Sequence, residues 1–116
     1  MTFRRGRRRE MRDSMAIDQF IDNEVKGNDV VLFMKGTPQF PMCGFSGRAM
    51  QVLNACGVER LTTVNVLEDE AVRQGIKQYA NWPTIPQLYV NGEFVGGSDI
   101  MMEMYESGEL QQLLTA

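Results

Sequence analysis

Histidine is absent from this sequence, and only two of its 116 residues are cysteine. With so few thiols and no imidazole, one chain cannot assemble a zinc site from the usual ligands, and a disulfide scaffold is ruled against. So few cysteines fit a reducing, intracellular setting. Long apolar runs are missing too: none approaches the roughly 20 residues needed to span a bilayer, and no apolar signal segment opens the chain. No membrane association is expected.

Basic residues are scarce after the first dozen positions. Arg4, Arg5, Arg7, Arg8, Arg9 and Arg12 supply half of the 12 Lys and Arg, and from Asp13 onward 14 acidic residues face six basic ones. That balance argues against nucleic acid as a partner of the folded part. Residues 1–13 lack apolar periodicity and read as a disordered, solvated extension, or as residues upstream of an alternative start at Met11 or Met15. A targeting peptide or an electrostatic contact with nucleic acid are the other readings; Glu10, Asp13 and the scarcity of Ser weigh against targeting. An apolar content of 43% suffices for one core, so residues 14–116 are expected to form a single domain.

Ser14 to Lys26 carries Ile17, Phe20, Ile21 and Val25 at helical spacing and stops at Gly27. The run VVLFM, Val30 to Met34, suits a strand buried on both faces. A second helix is expected to begin at Cys43, with Phe45, Ala49, Val52, Leu53 and Cys56 on one stripe. Leu61 to Val66 alternates like a strand, and DEAVRQGIKQYA, acidic at its start and with Lys77 near its end, reads as a third helix. QLYV and EFV flank Asn91-Gly92, a strong hairpin signal. Ser98 and Asp99 then look like caps of a helix through IMMEMYESG, and ELQQLL is a last helical segment. A parallel βαβ unit followed by a hairpin gives an α/β fold: a small four-stranded mixed sheet with helices on both faces.

Cys43 is the candidate reactive residue. At a helix N-terminus a thiol faces free backbone N–H groups and the positive end of the macrodipole, which favour the thiolate, the form that attacks disulfides and binds metals. Lys35, at the end of the preceding strand, adds positive charge. Three residues on, where a Cys-x-x-Cys pair would hold its resolving thiol, stands Ser46, which cannot release a mixed disulfide. If the helix is continuous, Cys56 lies roughly 20 Å away, well beyond the roughly 7 Å limit for a disulfide, and belongs to the core. Cys43 therefore has two kinds of partner: an external thiol, or a metal centre completed by other ligands. A [2Fe–2S] cluster usually needs four thiolates, so one chain can hold it only by sharing.

Taken together, Lys35, CGFS at 43–46, WPTIPQLYVNGEFVGG at 82–97 and SDI at 98–100 resemble the monothiol glutaredoxins of the Cys-Gly-Phe-Ser class, from about Ile17 to Leu114. The resemblance implies the glutaredoxin type of the thioredoxin fold and a groove for glutathione beside Cys43. It implies Lys35 and Arg73 for the glycine carboxylate of glutathione, and a cis Pro86 that turns the backbone of Ile85 towards the cysteinyl part. Ser98 and Asp99 correspond to the positions that hold the γ-glutamyl end. Each has an ordinary alternative: solvated charge for Lys35 and Arg73, a plain turn for Pro86, capping for Ser98 and Asp99. Trp82 and Phe45 can be groove walls or core. Many relatives carry cysteine where Ser98 stands, and the Arg-rich segment has no counterpart in the family core.

As cofactors the resemblance implies glutathione and a [2Fe–2S] cluster, with Cys43 as the metal ligand in a homodimer bridged by the cluster. The implied function is a carrier of clusters to iron–sulfur apo-proteins, with BolA-like proteins as further partners. The alternative is a reductase of protein–glutathione mixed disulfides in which Cys43 is the nucleophile and a second glutathione resolves. The longer loop GTPQFPM favours the carrier, whereas Phe45 matches the aromatic of strong reductases. The expected location is the cytoplasm of a bacterium, or the mitochondrial matrix if the source is eukaryotic.

Overall fold

The computed structural model describes residues 16–115, so the reading of residues 1–13 as a solvated extension lies outside the described residues. Four strands form one sheet in the order β2-β1-β3-β4: β1 (Val30–Met34), β2 (Leu61–Asn65), β3 (Gln87–Val90) and β4 (Glu93–Gly96). β1 runs parallel to β2 and antiparallel to β3, and β3 and β4 form the hairpin. Five helices cover it: α1 (Ile17–Gly27), α2 (Gly44–Ala55), α3 (Glu70–Tyr79), α4 (Ser98–Ser107) and α5 (Glu109–Thr115). Among the described residues no helix is long and apolar enough to cross a membrane.

Successive side chains of a strand point to opposite faces, and β1 uses both faces for core. Val30, Leu32 and Met34 pack with Ala49, Val52 and Leu53 of α2 and with Met101 and Leu110 of α4 and α5. Val31 and Phe33 pack on the other side with Ile21 and Val25 of α1 and Val72 and Ile76 of α3. All five residues of β1 are buried, which is why its sequence is a continuous apolar run and not an alternating one. The hairpin turn places Asn91 and Gly92 at φ 51° and 84°, the pair of positive angles that matches the twist of the strands it joins.

Boundaries moved at two places, and a third is not among the described residues. The start expected at Ser14 falls outside the described residues, and α1 is described from Ile17. β2 ends at Asn65, one residue early, because the Asn65 side chain accepts the Leu67 N–H at 3.0 Å and starts a 3₁₀ turn, Val66–Glu68. The same Asn65 oxygen accepts the Gly36 N–H at 2.9 Å and so ties the end of β2 to the exit of β1. Ser98 is not a cap: Gly97 holds that position with extended backbone, and Met101 N–H already donates to the Gly97 carbonyl at 3.0 Å. Ser98 and Asp99 therefore lie inside the first turn of α4.

The segment from β1 to α2 is folded back on itself. Met42 N–H donates to the Lys35 carbonyl at 2.8 Å, Gly36 bridges Pro41, and Thr37 and Phe40 exchange backbone hydrogen bonds at 3.2 and 3.1 Å. Gly36 sits at φ +95°, and a Cβ there would lie 2.4 Å from the Phe40 carbonyl oxygen and 2.6 Å from the Met42 nitrogen. Both neighbours are backbone, so neither can swing aside. Gly36→Ala is expected to cost at least about 1–3 kcal/mol of unfolding free energy by denaturant titration. A wild-type midpoint for this variant would show that the loop does not need glycine.

Candidate functional site

Cys43 is the N-cap of α2, with extended backbone at φ −151° and ψ 152°. Its Sγ accepts the Ser46 N–H at 3.3 Å and lies 3.5 Å from Ser46 Oγ. Ser46 is fully buried and its Oγ accepts both the Lys35 N–H at 3.0 Å and the Cys43 thiol at 3.5 Å; once the sulfur has lost its proton, the hydroxyl can turn and donate to the thiolate. Partial burial pushes the Cys43 thiol up, but the Ser46 hydroxyl, the N–H groups of Ser46 and Phe45 and the Lys35 charge together bring it below the ordinary cysteine value. Cys56 is the opposite case. It stands at the C-cap of α2 against the core, and burial alone raises its pKa.

Beside Cys43 lies a groove of about 370 Å³ lined by Lys35, Phe45, Lys77, the 82–86 loop and the start of α4. The loop that lines it is held by a residue that pattern reading passed over. Gln87 is fully buried; its amide donates to the Trp82 and Thr84 carbonyls, both at 3.1 Å, and its carbonyl accepts the Tyr89 hydroxyl at 2.8 Å. A buried glutamine inside a strand of apolar neighbours is the one signal that pointed to it. The Ile85–Pro86 peptide is cis. Ile85 buries its side chain, and among the described residues its backbone N–H and C=O form no hydrogen bond. Opposite, Gly97 passes the Pro86 carbonyl so closely that a Cβ would sit 3.3 Å from it.

Of the expected site residues, Lys35, Ile85, Pro86, Ser98 and Asp99 line this one groove. Cys43 is not among the residues that line it, though Phe45, two residues on, is; Cys43 itself lines a shallow depression with Pro41, Met42, Gly47, Arg48 and Gln51. Arg73 is not among the lining residues. It sits one turn before Lys77 on α3, its guanidinium 3.9 Å from Glu70 and its Nε buried without a partner. Lys77, one turn on, does line the groove, and its carbonyl accepts the Trp82 N–H at 2.9 Å, which brings the end of α3 against the loop. Phe45 and Trp82 are groove walls, 58% and 38% exposed. The first-turn N–H groups of Ser98 and Asp99 precede the first intrahelical bond of α4, which leaves them free for an anion.

Because the Cys43 pKa is lowered on folding, the folded state gains stability above the pKa of the unfolded thiol, roughly 8.5. That gain is lost as pH falls through the lowered value. The rate of Cys43 alkylation by iodoacetamide should reach half its maximum below the pH typical of a free cysteine, and Ser46→Ala should move the midpoint up. The same substitution leaves the Lys35 N–H without its partner, at a cost of about 1–3 kcal/mol. An unchanged midpoint would show that the hydroxyl does not support the thiolate.

The glutaredoxin family model matches residues 30–95. A monothiol glutaredoxin of Synechocystis is 60% identical over 94 residues, covering 81% of this chain and 87% of that protein. The mitochondrial monothiol glutaredoxin-5 of Schizosaccharomyces pombe is 55% identical over 98 residues, covering 83% and 67%. In structure, reduced apo GrxS14 of poplar superposes with a TM-score of 0.75 at 50% identity over 88% of this chain and 93% of that one. With a thiol-capped α2, a cis-proline loop and a four-stranded mixed sheet of the thioredoxin type, this chain belongs to the glutaredoxin family, in its monothiol branch.

Proposed function

We propose that the chain carries [2Fe–2S] clusters, binding each one between two copies through Cys43 of both and the thiols of two glutathiones, and delivers them to apo-proteins. The observation that carries this reading is the isolation of a stabilised thiolate next to the groove. Cys43 has a serine where a resolving thiol would stand, and Cys56 is at the far end of a 12-residue helix. One chain thus offers one usable thiolate, and a cluster that needs four must take the rest from elsewhere. Phe40, Met42 and Phe45, exposed at 76%, 67% and 58%, surround the sulfur with apolar surface that a second chain would cover.

The groove fits glutathione by charge and shape. Lys35 and Lys77 offer cations for its glycine carboxylate. The free backbone of Ile85 can pair with its cysteinyl residue in strand fashion, and the first turn of α4, with Asp99, can receive the γ-glutamyl carboxylate and ammonium. The cluster is cargo: two of its four ligands belong to a diffusible tripeptide, so exchange to a recipient breaks few protein bonds. BolA-like proteins, which can supply histidine to a chain that has none, are the proposed heterodimer partners. The bacterial cytoplasm or the mitochondrial matrix, where clusters are assembled, are the proposed compartments.

A second reading rests on the same thiolate. Cys43 would attack a protein–glutathione mixed disulfide, release the protein thiol and keep glutathione until a second glutathione resolves it. Anaerobic reconstitution with iron, sulfide and glutathione separates the two. The carrier predicts a coloured dimer by visible absorption and size-exclusion mass, lost without glutathione and in Cys43→Ser, and weakened by Lys35→Glu. A colourless monomer in wild type would sink the carrier and leave the reductase.

A further inference from the structure

Six Lys and Arg lie among the described residues, and they divide by place. Lys26, Arg60 and Arg73 each pair with a carboxylate, Asp22 at 3.2 Å, Asp29 at 3.6 Å and Glu70 at 3.9 Å. Lys35, Arg48 and Lys77 make no ion pair with a described carboxylate; Lys35 and Lys77 line the groove, and Arg48 lines the depression that Cys43 also lines. In a folded part that is rich in acidic residues, the positive charge left without a carboxylate lies in the groove and in this depression. Lys35 and Lys77 face the glutathione groove. Arg48 does not. It is exposed on α2, in the depression that Cys43 lines together with Pro41, Met42, Gly47 and Gln51.

That side is open to a polypeptide. Gly44 and Gly47 present bare backbone next to the sulfur: nothing lies within 4 Å of a Cβ built on Gly44, and only Pro41 lies near one built on Gly47. A chain leaving Cys43 Sγ in this direction crosses glycine and proline and meets its first charge at Arg48. We infer that this depression seats the segment flanking the protein thiol that exchanges with Cys43, and that Arg48 selects segments carrying Asp or Glu. The inference rests on the thiol chemistry proposed above but needs neither a cluster nor bound glutathione.

The test uses three short synthetic peptides, each with one cysteine held as a 2-thiopyridyl disulfide and flanked by Glu, Gln or Lys. The Cys43 thiolate attacks the peptide sulfur, the S–S bond breaks, and 2-pyridinethione leaves with the bonding electrons and is read by absorbance. The signal remaining in Cys43→Ser is subtracted. At low salt the full chain should react with the Glu peptide roughly three- to ten-fold faster than with the Lys peptide, and salt should erase the difference. Arg48→Glu should abolish or reverse the preference. Lys26→Glu makes the same change in net charge at the distant end of α1 and should keep it. The proposal is overturned if wild type has no preference, if Arg48→Glu retains it, or if Lys26→Glu loses it equally. A Cys43 that reacts with none of the peptides, the neutral one included, would sink the thiol reading and this proposal with it. Failed reconstitution with intact peptide selectivity would instead sink only the carrier.

Discussion

The Ser46 hydroxyl joins three parts of the molecule that the chemistry needs in register. It accepts the Lys35 N–H at the end of β1, belongs to the first turn of α2, and lies 3.5 Å from Cys43 Sγ. Because Ser46 is fully buried, this hydrogen bond is formed out of water, where an unmade one is costly. The strand that is buried on both faces therefore fixes the sulfur with little freedom. A cysteine at position 46 would give a dithiol able to resolve its own mixed disulfide. The serine keeps the polar contact and removes that reaction, which leaves Cys43 dependent on thiols from outside.

Around that fixed point the site is largely formed in advance. Gln87 spends all of its side-chain hydrogen bonds on holding the 82–86 loop and Tyr89, so the groove wall costs little to order when a ligand arrives. Asn65 does the same at the other side, holding the exit of β1 through Gly36. These two amides connect the sheet to the loops and carry no charge, which leaves the electrostatics of the groove to Lys35, Lys77 and the start of α4.

What could be read in the sequence was set by local physics. The apolar run of β1, the Asn91-Gly92 turn and the placement of Cys43 at a helix start are each decided within a few residues, and the fold followed from their order. What could not be read depends on contacts between distant segments. Arg73 and Lys77 are both cations on one face of α3, and only the contact of the Lys77 carbonyl with Trp82 decides which of them borders the groove. Ser98 has the chemistry of a cap, yet the packing of Gly97 against the Pro86 carbonyl pulls the helix start back by one residue. Gln87 resembled one polar residue in a strand until its three partners were in place.

The distribution of charge and apolar surface sets different requirements on the two sides of the sulfur. The groove side is the less open of the two and carries Lys35 and Lys77, and under the proposed function it takes a small anion of fixed shape whose several directed contacts can each be satisfied. The depression that Cys43 lines is shallow, with glycine and proline next to the thiol and exposed Met42 in its lining. A surface of this kind cannot fix one ligand by shape, but it tolerates many polypeptides and discriminates among them by charge and apolar contact. Under the proposed carrier function, a chain that serves several recipients through one thiol gains from that asymmetry: strict recognition falls on the diffusible tripeptide, and protein partners need share only a reachable ligand and a compatible charge.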